Sequence, residues 1–136
     1  MFDKPFNIEI VTPRKVIFSG DVNSFSAPGI EGGFQVLFSH APFLSTIGIG
    51  EVRVMTKENT ELKFSTSGGF VEVKNNKVVM LAETIENLNE IDLKRAEAAK
   101  ERALARLKER KPGTDVGRAE GALQRALNRI RLAQRN

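Results

Sequence analysis

Apolar and polar positions alternate in short runs through the first two-thirds of the chain. Phe6-Asn7-Ile8-Glu9-Ile10 has the period-two pattern of a half-buried strand, and Glu51-Val52-Arg53-Val54 and Glu61-Leu62-Lys63-Phe64-Ser65 repeat it. Val71-Glu72-Val73-Lys74 and Lys77-Val78-Val79-Met80-Leu81 flank Asn75-Asn76, which predicts a hairpin, because asparagine tolerates positive φ and suits a two-residue primed turn. Lys57-Glu58-Asn59-Thr60 predicts a second turn. Pro13-Arg14 and Gly20-Asp21 are expected to break the early strands. Many short strands at near-regular spacing predict an antiparallel sandwich or barrel.

The pattern changes near Ile85 to Glu90. From Asp92 to Arg110 there is no Gly or Pro, and Ala, Leu, Glu, Lys and Arg dominate, which predicts a helix capped by Asn89 or Asp92. Lys111-Pro112-Gly113-Thr114 ends it, and Thr114 or Asp115 is placed to cap a second helix. Val116, Ala119, Leu123, Ala126, Ile130 and Ala133 form a coiled-coil-like stripe on that helix. Ala96, Ala99, Ala103 and Leu107 form a matching one on the first. A short connection between two such helices implies an antiparallel hairpin. Its seam is rich in alanine, which buries little area, so the hairpin is expected to be weakly held.

Composition divides at the same place. Residues 1–86 carry 8 Lys+Arg against 10 Asp+Glu, a net −2, and residues 87–136 carry 13 against 7, a net +6. All nine Phe lie in the first part, and nine of the eleven Arg in the second. The expected organisation is therefore α+β, with a β domain over 1–86 and a helical hairpin over 87–136. The chain has no cysteine and one histidine, which excludes disulfides, thiolate nucleophiles and Cys- or His-cluster metal sites. No apolar run approaches the ~20 residues of a membrane-spanning helix. The N-terminus reads as neither a secretory signal nor an Arg-rich transit peptide, so a cytoplasmic setting is expected.

Little here points to catalysis. There is no phosphate-binding G-x-x-x-x-G-K-[ST] loop, and Gly48-Ile49-Gly50 lacks the third glycine of a dinucleotide fingerprint. His40 has no evident nucleophile or orienting partner and reads as a structural or interface residue. Glu83 and Glu86 read as surface acids. The basic second helix is more informative. Arg118, Arg125 and Arg129 share one face, and Arg131 and Arg135 lie on another. Such guanidinium rows form either a solvated face or a docking surface for carboxylate or phosphate. A small basic nucleic-acid-binding module is the alternative, weakened by the lack of aromatic residues in this half to stack bases.

Three segments carry a resemblance. Gly32-Gly33-Phe34-Gln35-Val36-Leu37-Phe38-Ser39-His40-Ala41-Pro42, Ser67-Gly68-Gly69-Phe70-Val71-Glu72-Val73 with Val78-Val79-Met80-Leu81-Ala82-Glu83, and Ile91-Asp92-Leu93-Lys94-Arg95-Ala96 occur in that order. Together they resemble the epsilon subunit of F-type ATP synthases over essentially the whole chain. Gln35 stands where that family usually has Gly, and Phe38 where it often has Pro. The resemblance implies an antiparallel β-sandwich of about ten strands followed by a two-helix hairpin. It implies a non-catalytic rotor subunit that touches the gamma subunit, the c-ring and the alpha/beta catalytic head. No nucleic-acid partner is implied, and the membrane is reached only through the complex, on the cytoplasmic face of a bacterial plasma membrane. Ile30, Gly32, Gly33, His40 and Pro42 would face gamma and the c-ring. Arg118, Arg125, Arg129, Arg131 and Arg135 would dock on the catalytic subunits and oppose ATP hydrolysis when the hairpin extends. No cofactor is required, but the resemblance implies ATP as a regulatory ligand of the folded hairpin, matched here at Glu86, Ile91, Asp92, Arg95, Ala96, Arg125 and Arg129.

Overall fold

A computed structural model describes residues 4–109 and 111–135. It divides into two compact units between Asn87 and Leu88.

Among the described residues the first unit holds seven strands, β1 (Phe6–Val11), β2 (Val16–Gly29), β3 (Gly32–Val36), β4 (Phe43–Ile47), β5 (Gly50–Thr56), β6 (Glu61–Lys74) and β7 (Lys77–Asn87). The alternation in the sequence becomes alternation in burial: Phe6, Ile8 and Ile10 point inward from β1, and Val52 and Val54 from β5. They meet Val22, Phe25, Val71, Val73, Val78 and Met80 in one continuous core. Burying such side chains contributes about 1.5–3 kcal/mol each, the main term holding the sheets together.

The expectation of about ten strands is corrected to seven. Gly20-Asp21 does not break the chain: β2 runs 14 residues through it, and β6 is equally long. Each long strand changes partner along its length. β2 pairs with β1 up to Val22, with β5 from Val22 to Ser26 and with β3 from Phe25 to Gly29. β6 pairs with β5 through Glu61–Thr66 and with β4 through Gly69–Val73, while β7 runs along its other side. Bulges at the crossovers supply the bend. One strand thus does the work of two shorter ones. Among the described residues all pairings are antiparallel except β1 with β7, which is parallel and departs from the fully antiparallel expectation.

The two predicted turns form. Asn75 and Asn76 have φ of 52° and 57°, as a type I′ turn requires, and Asn59 has φ of 64° in the β5–β6 connection. In β6 the buried Thr66 hydroxyl donates to the Thr84 carbonyl at 2.9 Å and accepts from the Gly68 N–H at 3.2 Å, which satisfies the bulge.

The second unit opens with a single 3-10 turn, Leu88–Glu90, followed by α1 (Leu93–Glu109) and α2 (Val116–Arg135). The first helix had been expected to reach Arg110, which lies outside the described residues. Asp92 and Asp115 are the caps: their Oδ1 atoms accept from the Arg95 and Arg118 N–H groups, each at 3.0 Å. Gly113, at φ 87°, makes the intervening turn. Ala96, Ala103, Ala119 and Ala126 are buried along the expected stripes, and α1 packs on α2.

Gly69 fixes the crossover in β6. Its φ is 154°, and a Cβ there would stand 2.1 Å from the Leu81 carbonyl oxygen. Gly69→Ala is expected to destabilise the protein by about 3 kcal/mol or more. Urea unfolding followed by circular dichroism measures this, and a loss under about 1 kcal/mol would show that the strands can part without penalty.

Candidate functional site

In an antiparallel hairpin, residues at equal distance from the connection lie side by side. Ala96 is 13 residues before the end of α1 at Glu109, and Arg129 is 13 residues after the start of α2 at Val116. Arg129 is therefore level with the first turn of α1, where Arg95 and the Asp92 cap lie. Arg125 lies one turn nearer the connection. Ile91, Asp92, Arg95, Arg125 and Arg129 thus belong to one end of the second unit. Asp92, Arg95 and Arg125 are exposed, and Ile91 and Arg129 are half-buried.

Two of the sequence candidates differ in setting. Ala96 is fully buried in the helix seam, so its methyl group supports helix packing and offers no exposed wall. Glu86 is half-buried near the end of β7, paired in register with Ser65, and belongs to the first unit. Asp92 also has a structural duty, since its Oδ1 holds the Arg95 N–H.

The arginine row is shaped by its neighbours. The Arg125 guanidinium folds back over Gly121, where a Cβ would stand 3.2 Å from Nη1. Arg118 is exposed next to the Asp115 cap. Arg131 is exposed, and its Nη2 donates to Asn128 Oδ1 at 2.8 Å. Arg135 is exposed in the last turn of α2, where a cation suits the negative end of the helix dipole. The sequence reading missed Asn128, a polar residue only 6% exposed, and Leu132, fully buried. Both lie outside the Ala stripe, on a different side of α2.

In the first unit, the segment from Ile30 to Pro42 divides. Ile30 is in the β2–β3 turn, 65% exposed, with its N–H on the Thr46 carbonyl at 3.0 Å. Gly32 and Gly33 begin β3, and both are exposed. His40 and Pro42 follow the other end of β3, beyond a strand about 13 Å long from Gly32 to Val36. His40 is half-buried, its Nδ1 on the Ala41 carbonyl at 2.7 Å and its ring edge-on to Phe43. The Ser39 N–H donates to Asn76 Oδ1 at 2.7 Å, which ties this loop to the β6–β7 hairpin. The five candidates thus form two patches at opposite ends of one strand.

Beside β3 runs a groove of about 490 Å³, lined by Ser26, Pro28, Gly33, Gln35, Glu51 and Arg53. Arg53 Nε donates to Glu51 Oε1, and that hydrogen bond, with the Glu51 charge behind it, raises the guanidinium pKa above its ordinary value. The i, i+2 spacing of Glu51 and Arg53 in an alternating strand was the available signal for this pair.

Residues 5–88 match the family model of the ATP synthase delta/epsilon chain β-sandwich domain, and residues 89–134 match that of its long α-helix domain. The chain belongs to the ATP synthase delta/epsilon chain family. The ATP synthase epsilon chain of Salinibacter ruber is 48% identical over 110 residues, 75% of this chain and 74% of that one. The epsilon chain of Pelotomaculum thermopropionicum is 47% identical over 107 residues, 79% of each. The fold also matches a chain of the Euglena gracilis mitochondrial ATP synthase OSCP/F1/c-ring structure, with TM-score 0.82 and 20% identity over 97% of this chain and 82% of that one. As a family member, this protein is an epsilon-type subunit of ATP synthase, which displaces the nucleic-acid-binding alternative.

Both helices of the second unit start from an aspartate cap. Asp92→Ala is expected to lower the stability of the hairpin by about 1 kcal/mol. The amide exchange of α1 and α2 reports this, with the β-sandwich amides as an internal reference. Unchanged exchange in the first turn of α1 would remove Asp92 from the structural role.

Proposed function

We propose that this protein is a non-catalytic rotor subunit of the central stalk, which helps couple proton flow to ATP synthesis. The sandwich docks on the gamma subunit and the c-ring through the two patches at the ends of β3, Ile30, Gly32 and Gly33 at one and His40 and Pro42 at the other. The hairpin is the regulatory part. Extended, it presents Arg118, Arg125, Arg129, Arg131 and Arg135 to acidic residues of the alpha/beta head and opposes ATP hydrolysis. The complex holds the chain at the cytoplasmic face of a bacterial plasma membrane, and no helix among the described residues is long and apolar enough to cross it.

One observation carries the regulatory reading: the helix seam is built on Ala96, Ala103, Ala119 and Ala126. Each buried methyl contributes about 1 kcal/mol or less, where a leucine would contribute two or three times as much. A state held so lightly can be shifted by modest differential binding. ATP is the ligand proposed to favour the compact state. Arg125 and Arg129, one turn apart on α2, reach the triphosphate, while Ile91, Asp92 and Arg95 stand at the adjoining end of α1. Ala96, another position of the matched pattern, contributes indirectly by letting the helices approach.

Calorimetric titration with ATP, with ADP and GTP as controls, tests this directly. Selective ATP binding is expected for the full chain, and its loss in the double variant Arg125→Ala/Arg129→Ala, with the sandwich still folded. Unchanged affinity in the double variant would defeat the phosphate assignment.

A further inference from the structure

Two turns that meet at Asn76 each carry a side chain where glycine is usual. The first lies in the β3–β4 loop and closes on the His40 N–H, which donates to the Leu37 carbonyl at 3.2 Å. Within it Ser39 has φ of 65°, whereas φ of Phe38 is not positive. A positive φ at the second central residue alone is the type II pattern, which favours glycine or asparagine there. A serine in this conformation is strained, because its Cβ crowds the backbone. The second turn is Asn75-Asn76, and its type I′ form likewise favours glycine after the asparagine.

The two exceptions are bonded to each other. Asn76 Oδ1 accepts from the Ser39 N–H at 2.7 Å, at the short end of the ordinary range. In a type II turn that N–H takes no part in the turn's own hydrogen bond, so an outside acceptor can hold it. The main chain of Asn76 is fixed independently, since its carbonyl accepts from the Asn7 N–H at 3.1 Å. Rotating the peptide between Phe38 and Ser39 would turn type II into type I. That form gives Ser39 an ordinary negative φ and keeps the Leu37–His40 bond, but it swings the Ser39 N–H away from Asn76. The hydrogen bond to Asn76 is thus what sets one form against the other. His40 follows Ser39 directly, with its ring edge-on to Phe43 at 5.8 Å between centroids, so the form of the turn governs how His40 is presented.

We propose that Asn76 is a positioning residue for the β3–β4 loop: its side-chain oxygen selects the type II turn and so aims His40 and Pro42. The shape of the loop is then dictated by a turn 37 positions further along the chain. The consequence for assembly rests on the docking reading of His40 and Pro42 above.

Nuclear magnetic resonance on the full chain tests the assignment. A type II turn brings the Phe38 Hα close to the Ser39 N–H, which gives a strong NOE between them. In Asn76→Gly that NOE is expected to give way to one between the N–H groups of residues 38 and 39, the type I signature, and the amide of Ser39 to exchange about tenfold faster. The variant is expected to fold, since glycine suits this place in a type I′ turn. Asn76→Asp keeps an acceptor oxygen and is expected to keep the parent pattern. Adding Ser39→Gly to Asn76→Gly is expected to bring back the type II NOE without the hydrogen bond, because glycine adopts positive φ at no cost. The parent pattern surviving in Asn76→Gly, or both rescues failing, would overturn the assignment. Binding to ATP synthase assembled without this subunit is expected to weaken about tenfold in Asn76→Gly and to recover with Ser39→Gly. A changed turn with unchanged binding would overturn the docking reading of His40 and Pro42 and leave the role of Asn76 in the loop supported.

Discussion

At Gly69 the backbone of β6 lies so close to β7 that only a hydrogen fits between the Cα and the Leu81 carbonyl. Gly68, just before it, stands close to the Ile47 carbonyl of β4, where a Cβ would be 2.9 Å away. These contacts, with the Thr66 hydroxyl filling the bulge, let β6 leave β5 and take up β4 without losing β7. The change of partner brings β4 to one side of the core and, through it, sets the ends of β3 where they stand. The patch at Ile30 is tied to β4 through Thr46, and the loop at His40 is tied to the β6–β7 turn through Asn76.

The two units are held by very different amounts of apolar contact. The sandwich buries Phe25, Ile8, Ile10, Met80 and a set of valines completely. The helix pair buries mainly alanines along its seam, and among the described residues of this unit Leu132, outside that seam, is the fully buried large side chain. Cap hydrogen bonds from Asp92 and Asp115 then become a sizeable share of what keeps the helices formed, since each contributes about 1 kcal/mol. The glycines at 117 and 121 in α2 weaken it further, each by about 1 kcal/mol relative to alanine. A firmly packed sandwich joined to a lightly held hairpin is the asymmetry that the proposed regulatory role requires.

Much of this was legible in the sequence, for local reasons. Alternation in Phe6–Ile10 and Glu51–Val54 is a property of neighbouring residues, and it mapped onto burial directly. The Asn75-Asn76 turn and the aspartate caps are likewise local chemistry. What stayed hidden depends on partners distant along the chain. Gly20-Asp21 looks like a break, yet Gly20 pairs with Ile8 and Asp21 with Asn7, and that ladder carries the strand through. The parallel β1–β7 pairing joins residues some seventy positions apart, so no local pattern announces it. At the candidate site, the sequence could mark Arg125 and Arg129 as one row. It could not show that Ala96 is spent inside the seam, because the same residue type serves a buried contact and an exposed apolar wall equally well.

Among the described residues β3 has a ladder partner on one side only, β2, and the orientation of its Gly33 and Gln35 belongs to this last class. A proline at 28 silences one face of β2 toward β3, and the alternation of the ladder then sends the polar groups of Gly33 and Gln35 outward. An isolated sandwich with such an edge carries an invitation to pair with any exposed strand. Selection against aggregation would favour a lysine at 33 or a bulge in β3, and the fold has room for either, since nothing crowds the Gly33 Cβ position. Its absence is understandable if the edge is covered for most of the life of the protein. A strand covered in a complex would need no protection of its own. The bare edge is thus the mark of a chain built to be part of something larger.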